Sequence, residues 1–220
     1  AEREVLLESC ASVGCIVVGD EHYRFLCAPD GDENAPSPLV NSKISAGPSV
    51  WKPSTGRFVT GSFIKCAGTP GLRIGWCVGD ESVLAAMQSE KNYLTHTVNP
   101  LSQRIALWFL ESFQRSQAFF APLYRDWQEN RIALAAWLST HQRTWLGTPP
   151  SGGLVSCLTP VDGLESLKTF LKLREQGIFL LPLSSFKETG MTDGVLDKGF
   201  RIGLGLAPNQ FKEMLSVMVR

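Results

Sequence analysis

One stretch of the chain places two cations among apolar residues and glycines: residues 61–76 read GSFIKCAGTPGLRIGW. Lys65 follows a predicted strand and precedes glycines, which let the backbone approach a ligand closely. In a largely apolar pocket the charged form of a lysine is disfavoured, so its amine becomes a usable nucleophile. Arg73 supplies a planar fork of donors that suits a phosphate, and Ser62 adds a hydroxyl donor. The segment therefore predicts a nucleophilic amine beside a phosphate site.

A second group of polar residues, Asp20 and Tyr23, follows the apolar run CIVVG. Such a run is typical of a parallel-sheet strand that is buried on both faces, and ligands bind at the carboxyl ends of such strands. Pyridoxal 5'-phosphate needs a lysine amine, phosphate donors and an acid that keeps its pyridine nitrogen protonated. Asp20 meets the last requirement, and Tyr23 is placed to reach the phenolic oxygen of the ring. Taken singly, each residue would be an ordinary polar residue in a turn.

The elements that must position these residues follow from the periodicity of the apolar side chains. Short apolar runs predict strands before Asp20, before Lys65 and before Asp80. Helical spacing then continues to about Leu138, with a break or kink at Pro122. Beyond the sequence GTPPSGG, the pattern is strand, helix, strand, strand and helix.

The order of these elements predicts two domains. Residues 1–115 are expected to form part of a large α/β domain, with a mostly parallel sheet covered by helices. Residues 116–220 are expected to form a small α+β domain, with the boundary inside the kinked helix at residues 110–125. The proline-rich residues 28–57 predict a long loop that is functional or mobile. Five aromatic residues near the kink are expected in the core: Trp108, Phe109, Phe113, Phe119 and Phe120.

The bulk composition argues against several classes of protein. The chain has 21 basic and 21 acidic side chains, so it lacks the basic excess that nucleic acid or an anionic membrane requires. No apolar run approaches the ~20 residues that cross a bilayer, and the opening AEREVLLESC is charged where a secretory signal is apolar. We therefore expect a cytoplasmic protein. Six cysteines without a CxxC pair indicate reduced, buried thiols, and three widely spaced histidines argue against a metal site.

Two segments together, VVGDEHYRFL and SFIKCAGTPGLRIGW, resemble the signature of the class I/II aminotransferases, which are fold type I enzymes that use pyridoxal phosphate. In that family an Asp-x-x-Tyr strand end precedes a Ser-x-Ser-Lys turn and a GLRIGW-type segment. The resemblance implies that Asp20 contacts the pyridine nitrogen and that Tyr23 contacts the ring oxygen. It implies phosphate contacts for Ser62 and Arg73, and it makes Lys65 the lysine that forms the Schiff base.

The resemblance extends to the C-terminal part of the chain, with some departures. The sequence GFRIGLG resembles the strand whose arginine grips the α-carboxylate of the substrate, which implies that role for Arg201 through a two-pronged contact. Ile64 stands where the family's turn has its second serine, so one hydroxyl contact is lost. The first half of the family pattern has no counterpart here, including the glycine-rich helix N-terminus that cradles the phosphate. The chain therefore corresponds to the second part of such an enzyme.

The function implied by this resemblance is exchange of amino groups between amino acids and keto acids. The same resemblance implies a homodimer, or association with the missing N-terminal half. Two alternatives stay open. Another fold type I enzyme, such as a lyase, decarboxylase or oxidase, fits equally because the signature identifies the cofactor and not the bond that breaks. A non-catalytic fragment or a decayed paralogue is the other alternative, since the N-terminal elements of the site are missing.

Overall fold

The computed structural model describes residues 2–27, 47–53, 56–115, 120–161, 166–188, 194 and 196–218. The chain forms two compact units, and the division between them lies between Leu123 and Tyr124. This point is inside a long helix, α5 (Ala121–Thr140). The loop predicted at residues 28–57 lies mostly outside the described residues.

The first unit contains three strands and several helices among the described residues. In chain order they are α1 (Glu2–Ser12), β1 (Val17–Asp20), β2 (Arg57–Ser62), α2 (Phe63–Cys66), β3 (Gly75–Val78), α3 (Glu81–Leu94) and α4 (Pro100–Arg115). All three strands predicted in this part of the sequence form, and the predicted helical region corresponds to α3, α4 and α5. Pro100 begins α4 because a proline at the first helical position lacks only an N–H that the helix does not use.

The sheet of the first unit has the order β1-β2-β3, and its register brings polar residues to one edge. β1 and β2 are parallel, with Asp20 opposite Thr60. β3 is antiparallel to β2, with Gly75 opposite Ser62. Because β1 and β2 point the same way, the turn after Asp20 and the helix after Ser62 both start at the carboxyl edge of the sheet. Ligands bind at this edge in open α/β sheets.

Strand β1 is exposed, although its apolar sequence predicts burial on both faces. Val18 is 57% exposed, and Ile16 just before the strand is 62% exposed. The prediction of a fully buried strand is therefore wrong for the described residues. A parallel strand is buried only where neighbouring strands and helices cover it, and within the described residues β1 pairs with β2 alone.

An aromatic cluster forms the core of the first unit. The ring of Phe109 lies 6.1 Å from that of Phe63 and 5.9 Å from that of Phe120, and all three residues are buried. The predicted burial of Phe109 and Phe120 is confirmed. Trp108 is 51% exposed, so its predicted burial is wrong, because adjacent positions on a helix face different directions. The side chains of Phe113 and Phe119 lie outside the described part.

The second unit, as far as the structure describes it, contains an antiparallel sheet with the order β4-β5-β7-β6. Besides the rest of α5 its elements are β4 (Trp145–Gly147), β5 (Val155–Pro160), α6 (Ser166–Glu175), β6 (Leu181–Pro182), β7 (Phe200–Gly203) and α7 (Pro208–Val217). The predicted pattern of strand, helix, strand, strand and helix is present. β6 comprises only Leu181 and Pro182 of the predicted run GIFLLPL. The three-residue β4 was not predicted, since it is too short to show an alternation.

Helix α5 is fixed within the second unit by buried polar side chains. Asn130 is 0% exposed, and its Nδ2 donates to the carbonyl oxygens of Leu204 at 3.0 Å and Leu206 at 2.8 Å. Both carbonyls follow β7, where the strand ladder has ended, so Asn130 replaces the partners that a neighbouring strand would supply. Trp127 donates its Nε1–H to the carbonyl oxygen of Gly153 at 2.7 Å.

Three further expectations concern domains, thiols and membranes. The assignment of residues 1–115 to a cofactor-binding domain and of residues 116–220 to a small domain stays a prediction. The predicted burial of the cysteines is wrong, because Cys15 and Cys157 are exposed and the other four are half-buried. Among the helices that the structure describes, none is long and apolar enough to cross a bilayer.

Candidate active site

The turn after β1 presents the Asp20 carboxylate at the carboxyl edge of the sheet. The side chain of Asp20 is 79% exposed, and its Oδ1 accepts the backbone N–H of His22 at 3.3 Å. Aspartate side chains stabilise turns in this way by accepting from the backbone two residues later. The backbone N–H of Glu21 donates to the carbonyl oxygen of Thr60 at 2.9 Å, which continues the pairing with β2 into the turn. Asp20 is therefore held at a defined position with its carboxylate open to a ligand.

Lys65 lies on the one-turn helix α2, which starts where β2 ends. The helix is tied back to the segment that follows it, because the N–H of Phe63 donates to the carbonyl oxygen of Ile74 at 3.3 Å. The hydroxyl of Thr69 also donates to the carbonyl oxygen of Phe63, at 3.0 Å. Lys65 itself is half-buried, and its Nζ lies 5.9 Å from the centroid of the Tyr23 ring. The structure thus brings the predicted lysine and tyrosine together.

Arg73 occupies a left-handed backbone conformation, with φ of 52°. A residue other than glycine pays on the order of 1 kcal/mol or more for this conformation, and such residues cluster at functional sites. Arg73 ends the short 3-10 turn Pro70–Leu72, directly before the return to β3. Gly75 lies opposite Ser62 in the register, so the backbone of Arg73 lies near the start of α2. Its exposed side chain is available to a ligand, and its phosphate role stays a prediction.

His22 is a site residue that sequence reasoning missed. Its Nδ1 lies 2.7 Å from the hydroxyl oxygen of Ser62, which is buried, and its Nε2 lies 3.6 Å from Oδ1 of Asp20. The imidazole therefore lies between two predicted cofactor-binding groups. A signal was present, because His22 is within the segment DEHY at the predicted ligand edge of the sheet. The sequence pattern accounted for only the aspartate and the tyrosine of that segment.

Cys66, the neighbour of Lys65, is held as a neutral thiol. Its Sγ–H donates to the carbonyl oxygen of Ser62 at 2.9 Å. Burial raises the pKa of the Cys66 thiol from 9.0 to about 11, because the charged thiolate loses its water. The thiol therefore adds no negative charge beside the Lys65 amine at neutral pH.

The raised pKa predicts slow alkylation of Cys66, because only the thiolate reacts. A rise of two pKa units lowers the thiolate fraction about a hundredfold near pH 8. Iodoacetamide should therefore label Cys66 far more slowly than the exposed Cys157, and the rate at Cys66 should rise about tenfold for each pH unit up to about pH 10. Peptide mass spectrometry measures both rates. Equal labelling of the two cysteines near pH 8 would contradict the expected burial effect.

Arg201, the predicted carboxylate-binding residue, lies in the second unit. It is the second residue of β7, where it is opposite Cys157 of β5 and opposite Leu181 of β6. The side chain is half-buried within that unit. A position with strands on both sides gives the backbone of Arg201 a defined place, and its substrate contact stays a prediction.

The comparison with known proteins identifies the family. The sequence model of the family described as aminotransferase class I and II matches residues 1–218. The chain belongs to the class I and II aminotransferases. The predicted resemblance and the predicted α/β fold type I architecture are thereby confirmed, and members of this family use pyridoxal 5'-phosphate.

This aminotransferase chain matches only part of the length of its individual relatives. It is 27% identical over 110 residues to capreomycidine synthase of Streptomyces vinaceus, a match to 50% of this chain and 25% of that protein. It is 25% identical over 190 residues to an uncharacterised aminotransferase of Saccharolobus solfataricus, a match to 84% of this chain and 43% of that protein. The chain therefore spans less than half the length of these two relatives.

A solved structure also matches nearly all of this chain with only about half of its own length. The α-aminoadipate aminotransferase of Thermus thermophilus, solved with N-(5'-phosphopyridoxyl)-L-leucine, superimposes with a TM-score of 0.76 at 21% identity. The match covers 98% of this chain and 52% of that protein. The described fold is thus that of about half of a fold type I enzyme.

Proposed function

We propose that the protein containing this chain is a pyridoxal phosphate-dependent aminotransferase that exchanges amino groups between amino acids and keto acids. The observation that carries this proposal is the gathering of Asp20, Tyr23, Ser62 and Lys65 at the carboxyl edge of one sheet. This set of groups fits the cofactor: it offers an exposed carboxylate, an amine, a phenol and a hydroxyl. Arg73 adds a guanidinium, and it lies two residues before Gly75, which is opposite Ser62 in the sheet.

Each of these residues has a proposed task. The Asp20 carboxylate holds a proton on the ring nitrogen by accepting it in a charge-assisted hydrogen bond. Tyr23 contacts the ring oxygen, while Ser62 and Arg73 bind the phosphate. The Lys65 amine would hold the cofactor, and it would carry a proton to and from the α-carbon of the substrate as a general base and acid.

When bound, the cofactor supplies the electron sink that stabilises negative charge at the α-carbon. The chain contributes orientation as well as proton transfer. Arg201 is proposed to bind the α-carboxylate of the amino-acid substrate, so that the α-hydrogen faces Lys65. Because the guanidinium is planar and has paired donors, it fixes the direction of a carboxylate better than a single amine would.

The remainder of the site is proposed to come from polypeptide beyond these 220 residues. The chain spans 52% of the solved relative and lacks the first half of the family pattern. We infer that the missing half is supplied either by the same polypeptide or by a separate chain, and that the assembly is a homodimer. A role in amino-acid metabolism and a cytoplasmic location belong to the same proposal.

A second candidate reaction is favoured by one relative. The match to capreomycidine synthase is 27% identical over 110 residues, and the name of that protein describes a synthase rather than an aminotransferase. A fold type I enzyme that uses the cofactor for a reaction other than transamination would have the same Lys65 and Asp20. The lyase, decarboxylase and oxidase alternatives fall in this class.

Amino-group exchange distinguishes the two candidates. The intact native protein is incubated with pyridoxal phosphate, a nitrogen-15 amino acid and an unlabelled keto acid, and the products are analysed by mass spectrometry. Transfer of nitrogen-15 to the keto acid supports the aminotransferase. Cofactor uptake with consumption of the amino acid but no label transfer supports the second candidate, and a protein that takes up no cofactor contradicts both.

A further inference from the structure

The contact between His22 and Ser62 has a consequence for the phosphate. Ser62 has one hydroxyl proton, and its oxygen lies 2.7 Å from Nδ1 of His22, which is a hydrogen-bond distance. If Ser62 donates this proton to His22, only its lone pairs remain for a ligand, and a phosphate dianion would meet an acceptor. If His22 donates to Ser62 instead, the hydroxyl proton is available to the phosphate.

The other ring nitrogen of His22 decides between these two arrangements. Nε2 lies 3.6 Å from the Asp20 carboxylate, so a hydrogen on Nε2 is favoured over a lone pair. A neutral imidazole can carry a hydrogen on only one of its nitrogens. Serving both Asp20 and a phosphate-binding Ser62 therefore requires hydrogens on both nitrogens. The ring is then a cation, with the Asp20 carboxylate on one side and the phosphate beyond the Ser62 hydroxyl on the other.

Other charged groups near this turn leave that arrangement intact. The carboxylate of Glu21 accepts the N–H of Val50 at 2.8 Å and lies 3.7 Å from Arg24, so it has its own partners. The Lys65 amine on α2 lies over the ring of Tyr23. Asp20 is thus the carboxylate that faces the imidazole.

We propose that His22 is a positioning residue that turns the Ser62 hydroxyl toward the phosphate of the cofactor, with a hydrogen on each ring nitrogen in the loaded protein. This inference rests on the proposed function, because it requires the cofactor phosphate at Ser62. It extends that function by linking the group at the ring nitrogen, Asp20, to the group at the phosphate. No covalent step is involved.

The test compares pyridoxal phosphate with pyridoxal, which lacks the phosphate, in equilibrium titrations of the native protein and its variants. His22→Phe keeps a ring but no nitrogen, and it should weaken pyridoxal phosphate about tenfold more than it weakens pyridoxal. His22→Asn places an amide N–H near the position of Nδ1 and should retain most of the affinity. Ser62→Ala should match His22→Phe. The double variant should lose little more than either single variant, because the two residues act through one contact.

The outcomes separate this inference from the proposed function. Equal weakening of both ligands by His22→Phe, or additive losses in the double variant, would show a merely structural histidine and overturn the inference. Nitrogen-15 NMR of the loaded native protein gives a readout besides affinity, and a neutral imidazole pattern for His22 would also overturn it. If the native protein binds pyridoxal phosphate but His22→Phe binds it equally well, only the inference fails. If the native protein binds neither ligand, the proposed function fails as well.

Discussion

Replacing Lys65 with alanine should abolish covalent attachment of the cofactor and reduce amino-group exchange to background. Borohydride reduction traps pyridoxal phosphate on an amine, and Lys65 is the lysine at the carboxyl edge of the described sheet, 5.9 Å from the Tyr23 ring. The variant loses both the attachment point and the proton-transfer group, of which general acid–base catalysis alone contributes about 10²–10⁴-fold. Mass spectrometry after reduction measures the attached cofactor, and isotope transfer measures the exchange.

A matched control distinguishes the specific effect of Lys65→Ala from the effect of removing any lysine. Lys172 is exposed on α6 in the second unit, and Lys172→Ala should retain both trapping and exchange. The position of the reduced adduct in the native protein is found by peptide mapping. An adduct on a lysine other than Lys65, or undiminished trapping in Lys65→Ala, would remove the basis of the proposed function.

Asn130→Asp should strongly destabilise the second unit. The amide of Asn130 is completely buried and donates to two carbonyl oxygens, at 3.0 Å and 2.8 Å. An ionised carboxylate of the same shape would face those two oxygens without a hydrogen to donate. Burying a charge without a partner costs about 3–5 kcal/mol, so the free energy of unfolding should fall by that amount.

Urea unfolding followed by tryptophan fluorescence measures this loss. Asn209→Asp is the matched control, because Asn209 is exposed in the first turn of α7 and undergoes the same chemical change. The control should change the free energy of unfolding by no more than about 0.5 kcal/mol, and an acid near a helix N-terminus is favourable. Equal unfolding curves for the two variants would refute the structural role given to Asn130.

The location of the candidate site could be predicted from the sequence because it depends on strand direction. Asp20 and Lys65 each follow an apolar run, and two parallel strands end at the same edge whatever their detailed packing. The contact of His22 with Ser62 could not be predicted in this way. It depends on the register of β1 with β2 and on the rotamer of one side chain, neither of which leaves a pattern in the sequence.

Burial was predicted less well than the elements themselves. The exposed Val18 shows why, because an apolar run favours a buried strand but does not say which part of a polypeptide would cover it. Trp108 shows a different reason, since it adjoins the buried Phe109 on a helix and composition alone does not give the direction of either side chain. Short elements such as β4 give too few residues for any period to be detected.

The sheet order β1-β2-β3 has a practical consequence for handling this polypeptide. Among the described residues, β1 and β3 each have one strand neighbour, so each leaves a row of backbone groups without a strand partner. Val18 on β1 and Val78 on β3 are 57% and 40% exposed. Exposed edge strands with apolar side chains can pair with strands of other molecules. Residues 1–220 expressed by themselves should therefore precipitate or polymerise as the concentration rises, and co-expression with the proposed N-terminal half should keep them dispersed.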